Sequence, residues 1–209
     1  MSYALNEVEV TAKKATRGAA YSWGLAEEAA KATRWLCAQG LDGCARLTGL
    51  LRKTDRAAAM APVSLDDDWQ APSGQICALI AGAALSDCAH RLARGEIRML
   101  NVVAPQMLLP FAAAAARQLN QPVTLSWGDI SVTTDGSGLA ATDVPATDLA
   151  EIVTIRMGGD MGQAVAQCTR STPDPADWAY LNTLAGRTYA PATEESRLKG
   201  AGAGLSDND

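Results

Sequence analysis

The chain has 209 residues, of which 48% are hydrophobic and 20% are charged, a balance typical of a soluble globular protein. The net charge is −5, and the few basic residues are interspersed with acidic ones, which argues against nucleic-acid binding. The five cysteines are irregularly spaced and form no CxxC pair, which argues against a zinc ribbon or a thioredoxin-like centre.

The charge is unevenly distributed along the chain. Residues 1–60 contain nine Lys and Arg against six Asp and Glu, a balance of +3. Residues 61–209 contain nine against seventeen, a balance of −8. Such polarity can orient two parts of a protein against each other or attract an anion to one end.

The first sixty residues have the pattern of three helices. Apolar residues recur at helical spacing over 4–17, and Gly18 is expected to end this helix. Ser22 is a suitable N-cap for a second helix that runs to Gln39. Asp42 is a suitable N-cap for a third, shorter helix through Leu51.

The middle of the chain changes character. Residues 75–94 read as an apolar helix, although a strand over 76–80 is the competing interpretation. A strand is predicted over 97–103 and a helix over 105–119, with proline near its start. The uncharged stretch between Arg98 and Arg117 is therefore interpreted as a buried strand followed by a buried helix, not as a membrane span.

The last third of the chain favours strands and hairpins. The pattern predicts one strand over 123–134, with a kink at Gly128, and a hairpin turn at 135–138. A second hairpin is predicted from 152–157 and 164–169, joined by the glycine-rich segment 158–162. A final helix is predicted over 175–185.

Helices followed by strands indicate an α+β fold, in which an N-terminal helical segment packs on a mixed or mostly antiparallel sheet with helices. We expect a single domain over 1–189, with a helical subregion over 1–60, and an extended tail over 190–209. The absence of an apolar run before Glu7 and Glu9 argues against a signal peptide, and cysteines in apolar company suggest reduced core thiols. A cytoplasmic protein is the expectation.

Several chemistries are disfavoured by the residues themselves. His90 is the only histidine, and no G-x-S-x-G turn accompanies it, so a histidine-dependent nucleophile is not expected. One histidine and no thiolate cluster also argue against a transition-metal site. The glycines at 158–162 lack the lysine of a phosphate-binding loop. We expect no metal and no cofactor.

The N-terminal helices supply the richest candidate site. Its arginines could hold a carboxylate or phosphate between aromatic side chains. The alternative, which the residue pattern favours, is a pair of amphipathic helices with ordinary surface ion pairs. With two residues from the C-terminal segment, the candidate binding residues are Arg17, Tyr21, Trp23, Glu27, Glu28, Arg34, Tyr189 and Arg197.

Two sequence segments carry a resemblance to a family. They are R-G-x-x-Y-S-W-G-L-A-E-E, at 17–28, and G-A-G-A-G-x-x-D-N-D, at 200–209. With these segments the chain resembles an uncharacterised bacterial family that is classed only as a domain of unknown function. Its members have similar length, so the resemblance implies a relationship over nearly the whole chain. It implies no activity and no catalytic residue.

The tail leads to a structural hypothesis. Its anchoring residues and glycines suggest that it folds back along the N-terminal helices, in its own subunit or in that of a homo-oligomer. Arg17 and Arg34 are the expected partners of the acidic groups Glu194, Glu195 and Asp207 or of the terminal carboxylate.

Two functional hypotheses remain open. The first is a protein that binds a small anionic metabolite or a protein partner without catalysis. The second is a metal-free enzyme in which Glu27 or Glu28 acts as a base and Arg17 or Arg34 holds an anionic substrate. Neither hypothesis involves nucleic acid or a membrane. DNA binding through the helices over 22–39 and 42–51 is a third, less favoured alternative.

Overall fold

The structure is a computed structural model, and it describes residues 1–54, 60–141, 144–162 and 166–189. The predicted tail at 190–209, with Arg197 and its expected partnership with Arg17 and Arg34, lies outside the described residues. The fold is α+β, as the sequence predicts, with helices at the N-terminus and a mixed sheet.

The three N-terminal helices are confirmed. A short strand β1 (Tyr3–Ala4) precedes α1 (Leu5–Gly18), and α2 (Trp23–Ala38) and α3 (Gly43–Thr54) follow. The expected caps explain where α2 and α3 begin. The side chain of Ser22 accepts a hydrogen bond from Leu25 N at 3.3 Å, and Asp42 accepts one from Ala45 N at 2.9 Å.

Residues 76–119 alternate between strand and helix. Strand β2 (Ile76–Cys77) leads directly into α4 (Ala78–Asp87), which a 3₁₀ turn follows. The competing strand interpretation therefore holds for two residues and the helix interpretation for the next ten. Strand β3 (Ile97–Val103) is confirmed, and the predicted helix after it consists of a 3₁₀ turn and α5 (Leu109–Leu119).

The structure corrects two predictions, the single kinked strand over 123–134 and the hairpin of 152–157 with 164–169. Residues 123–134 form two strands, β4 (Val123–Trp127) and β5 (Ile130–Thr134), not one kinked strand. Gly128 has φ of +52°, a conformation that glycine adopts without strain, so the chain reverses there completely. Strand β6 (Leu149–Met157) pairs with β3 and β4, and none of the described residues in 164–169 forms a strand beside it.

The last two elements of the described chain pack against its first two elements. Strand β7 (Arg170–Ser171) pairs antiparallel with β1, and α6 (Pro175–Gly186) packs against α1. The five-stranded sheet has the order β2-β3-β6-β4-β5, in which the β2-β3 pair is parallel and the other pairs are antiparallel. Helix α5 packs on β4 and β5, and α2 packs on α4 and α5.

A glycine allows α1 and α6 to approach closely. A Cβ atom at Gly18 would overlap the carbonyl oxygen of Leu184 in α6. Since backbone atoms cannot move aside as a flexible side chain can, a larger residue would push the helices apart. This contact places the end of α6 next to the end of α1, where the candidate site lies.

We predict that Gly18→Ala destabilises the protein by about 1–3 kcal/mol, because the added methyl group meets the backbone of α6. Gly49→Ala is the matched control. It lies inside α3 with open space around its Cα, so alanine should stabilise the helix by about 0.5–1 kcal/mol. Urea unfolding of both variants measures the difference. Equal stability changes would contradict the close-approach argument.

Candidate anion-binding groove

The turn between α1 and α2 forms one end of the candidate site. Ala20 adopts a left-handed conformation with φ of +73°, which alanine rarely adopts. Two backbone hydrogen bonds support this turn, from Ala20 N to Arg17 O at 3.0 Å and from Tyr21 N to Thr16 O at 3.3 Å. The strained turn therefore has support from the last residues of α1.

The Tyr21 side chain anchors this turn to the core. Its hydroxyl donates a hydrogen bond to Thr54 Oγ1 at 2.7 Å and lies 3.2 Å from Cys77 Sγ. Thr54 and Cys77 are both buried. Burial raises the pKa of Tyr21 well above its usual value, with a further contribution from Cys77. Tyr21 is therefore a structural anchor behind the surface and not an exposed wall of the groove.

Arg17 and Trp23 meet on the outer side of the same turn. The guanidinium carbon of Arg17 lies 5.2 Å from the centre of the Trp23 ring, a cation–π distance. One Nη of Arg17 donates to the carbonyl oxygen of Tyr21 at 2.8 Å. Trp23 is nevertheless 56% exposed, so much of its ring faces solvent. The turn thus presents a positioned guanidinium beside an exposed indole.

The space around these residues is an open groove of about 530 Å³. We call it the Arg17 groove. Its opposite side comes from the end of α6, where Arg187 Nη1 donates to Gly18 O at 3.3 Å. The lining residues are Arg17, Gly18, Ala20, Trp23, Arg187 and Thr188.

Two lysines and a tyrosine extend the positive surface beside the groove. Lys14 Nζ donates to the hydroxyl of Tyr189 at 3.3 Å and lies 5.0 Å from the centre of its ring. Lys13 Nζ lies 5.9 Å from the Trp23 ring and is paired with Glu27 at 2.7 Å. The predicted residues Arg17, Trp23 and Tyr189 are therefore part of one cationic and aromatic surface.

The other predicted site residues lie in surface ion pairs. Glu28 pairs with Lys31 at 2.7 Å, and Arg34 pairs with Glu9 at 2.7 Å and also donates to Asn6. Arg34 is not among the residues that line the Arg17 groove. The Glu28 side chain is 41% exposed and borders a separate depression of about 150 Å³. Surface ion pairs of this kind contribute about 1 kcal/mol or less each.

Glu27 is poorly placed to act as a base. The hydrogen bond from Lys13 lowers the pKa of this carboxyl below its usual value, and the charge of Lys13 acts in the same direction. A general base works best when its pKa is near the working pH, which requires the opposite shift for a carboxylate. The Glu27 side chain is also 51% exposed.

Arg187 and Thr188 were not identified as site residues from the sequence. Their positions follow from the packing of α6 against α1, which brings together residues far apart in the chain. The only local signal was that Arg187 follows the predicted end of the last helix. Among the residues described, no cluster of His, Cys, Asp and Glu is arranged to hold a metal ion. None of their helices is long and apolar enough to cross a membrane.

Comparison with known proteins supports part of the expected relationship. Residues 3–77 match the model of a family described as "Protein of unknown function (DUF3726)". The match begins in β1 and ends in β2, and it includes Arg17, Tyr21 and Trp23. Similarity to an uncharacterised family is thus confirmed for the N-terminal helices, and not over nearly the whole chain. No curated protein and no solved structure matches the chain.

The half-buried Tyr21 hydroxyl leads to a prediction about alkaline pH. Because the folded pKa of Tyr21 is raised above the usual value near 10, folding favours the protonated form. The associated stability is complete below about pH 10 and is lost as the pH rises above it, since only the unfolded chain ionises there.

We therefore expect the wild-type protein to lose stability more steeply between about pH 9 and about pH 11 than Tyr21→Phe, by up to about 1.4 kcal/mol per pH unit. Urea unfolding across this range measures it. Tyr189→Phe is the control, because the Tyr189 ring is 63% exposed, and it should keep the wild-type slope. The same slope in Tyr21→Phe and wild type would contradict the anchor role.

Proposed function

We propose that the protein binds a small anionic molecule in the Arg17 groove without transforming it. The observation that carries the proposal is the Arg17 guanidinium held 5.2 Å from an exposed indole. Tryptophan, tyrosine and arginine are the side chains most enriched at binding hot spots. The hydrogen bond to the Tyr21 carbonyl positions the guanidinium before a ligand arrives.

The electrostatics favour an anion. Lys13 and Arg17 lie over the Trp23 ring, Lys14 lies over the Tyr189 ring, and Arg187 lines the same groove as Trp23. Among the described residues, Glu27 pairs with Lys13 beside this groove. A guanidinium has five N–H donors, and Arg17 uses one of them in the single hydrogen bond that it makes to the described residues. The remaining donors could bind a carboxylate or a phosphate in the bidentate mode.

The shape of the groove favours a ligand with a flat apolar part. The Trp23 ring forms one wall, and a planar group could stack on it while its charged end binds Arg17. A volume of about 530 Å³ lies within the range of small-molecule sites. The groove is open, however, so a protein segment with an acidic and an aromatic residue is the competing occupant.

The enzyme alternative lacks support from the geometry. It needed Glu27 or Glu28 as a desolvated base, and both side chains are in ion pairs with lysines and substantially exposed. A carboxylate in water with a neighbouring ammonium group is a weak base. Binding without catalysis is therefore the function that we propose.

Isothermal titration with phenyl phosphate and with inorganic phosphate tests the proposal. We expect Arg17→Gln to weaken binding of both probes at least about tenfold, because a charged hydrogen-bond donor is lost. Trp23→Ala should weaken the binding of phenyl phosphate much more than that of inorganic phosphate, because only the phenyl ring can stack on the indole. Arg34→Gln is the matched control and should bind both probes as the wild type does.

The results distinguish the alternatives clearly. Equal affinities of Arg17→Gln and wild type would contradict the proposed site. Failure of both probes to bind at millimolar concentration, together with binding of an acidic aromatic peptide that requires Arg17, would favour the protein-partner alternative. Thermal unfolding of Arg17→Gln should be checked in parallel, because the side chain also supports the α1–α2 turn.

A further inference from the structure

Strand β6 extends beyond the strand that lies beside it. It pairs with β4 only as far as Thr154, which lies opposite Ser126. The chain of β4 then turns away at Gly128 into β5, whereas β6 itself begins at Leu149. Strand β3 pairs with this part of β6 on the other side. Among the described residues, none pairs with the segment 149–153 on the β4 side, and we call this open length of strand the β6 edge.

Neighbouring hydrogen bonds show which backbone groups face the open side. Leu100 N, in β3, donates to Trp69 O at 2.9 Å, so the backbone groups of Leu100 point away from β6. Ile152 lies opposite Leu100, and both members of such a pair in an antiparallel ladder point their N–H and C=O outward. Ala150 has the same direction, because alternate residues of a strand are equivalent. Neither Ile152 nor Ala150 forms a backbone hydrogen bond on this side with a residue that the structure describes.

An apolar depression of about 380 Å³ lies along the β6 edge. The buried Trp127 is fixed there, because its indole N–H donates to Thr147 Oγ1 at 3.1 Å. Leu149 and Ile152 are 40% and 43% exposed. A strand edge with exposed apolar side chains is a template for pairing with another strand. The lining residues are Trp127, Gly128, Thr147, Leu149, Ala150, Glu151 and Ile152, and none of them lines the Arg17 groove.

The charges around this depression are mostly negative. Glu151 is the charged side chain among the lining residues, and it is exposed. Asp129, in the turn between β4 and β5, is also exposed. Asp148 directly precedes β6 and forms a surface ion pair with Lys53 at 3.1 Å. The β6 edge is therefore complementary to a segment that carries positive charge.

The same charge argues against a second copy of this chain as the occupant. If two β6 edges paired antiparallel, Ala150 of one copy would exchange hydrogen bonds with Ile152 of the other. The Glu151 side chains of the two copies would then lie directly opposite each other. Like charges in this position destabilise a strand pair, whereas opposite charges stabilise it.

We propose that the β6 edge binds an extended segment of a protein partner that carries alternating basic and apolar side chains. The segment adds a strand to β6, and its backbone pairs with Ala150 and Ile152. One of its apolar side chains enters the depression beside Trp127, and a lysine or arginine contacts Glu151. In this mode of recognition, main-chain hydrogen bonds give affinity and the side chains give specificity. The proposal does not depend on a ligand in the Arg17 groove.

Fluorescence anisotropy with three labelled peptides tests the proposal on the full-length protein. The first is a short peptide of alternating lysine and valine residues. The second has the same sequence with every backbone N–H methylated, so it keeps the side chains and loses the donors. The third has glutamate in place of lysine. We expect the first peptide to bind saturably and the other two to bind at least about tenfold more weakly.

A charge reversal locates the site. Glu151→Lys should weaken binding of the lysine peptide at least about tenfold and make the glutamate peptide the better ligand. Glu96→Lys is the matched control, because Glu96 is exposed just before β3, at the opposite end of the β3–β6 pair. It should bind all three peptides as the wild type does.

Hydrogen exchange of the wild-type protein gives a readout that needs no variant. Without peptide, the amides of Ala150 and Ile152 should exchange faster than that of Val153, which lies in the alternate position and faces β3. The lysine peptide should slow exchange of Ala150 and Ile152 and leave Val153 unchanged.

Four results would overturn the proposal. The first is that the lysine peptide does not bind at millimolar concentration. The second is that the methylated peptide binds as tightly as the parent, so that backbone pairing contributes nothing. The third is equal affinity of the lysine peptide for Glu151→Lys and the wild type. The fourth is a dimer in sedimentation experiments in which Ala150 and Ile152 are already protected from exchange, which would assign the β6 edge to a second copy.

Discussion

The hydrogen bond from Tyr21 to Thr54 fixes the turn that positions both Arg17 and Trp23. The chain reverses between α1 and α2 through an alanine with a positive φ, which local sequence does not favour. Tyr21 offsets that strain by inserting its hydroxyl between Thr54 and Cys77, which belong to α3 and β2. With the turn fixed, its carbonyl oxygen orients Arg17, and Arg17 then faces Trp23.

A second constraint acts from the other end of the chain. Gly18 lets α6 lie directly against the end of α1, and Arg187 reaches the Gly18 carbonyl across this contact. In the Arg17 groove, Tyr21 anchors the α1–α2 turn to the core, and the Gly18 contact holds the end of α6 against α1. Oriented charges of this kind contribute more to binding than mobile surface charges, because less conformational entropy is lost when the ligand binds.

The local features of the fold could be predicted from sequence, whereas the long-range contacts could not. Ser22 and Asp42 determine where helices begin through hydrogen bonds to residues three positions away, and these caps were predictable. The partners of β6 are β3 and β4, and a pattern of alternating residues does not specify which strand lies alongside. The same limit applies to the site. Arg17 and Trp23 are close in sequence and were predicted together, but Arg187 depends on the packing of α6 on α1, and Arg34 pairs instead with Glu9.

If an anionic ligand binds Arg17 and stacks on Trp23, the indole N–H of Trp23 should report its binding directly. The five tryptophans should give five indole signals in a ¹⁵N–¹H spectrum, and Trp23→Phe assigns the signal of interest. On titration with phenyl phosphate, we expect a saturable shift of the Trp23 signal, while the signals of the buried Trp69 and Trp127 stay in place. A Trp23 signal that does not move while phenyl phosphate binds elsewhere would contradict binding in the Arg17 groove.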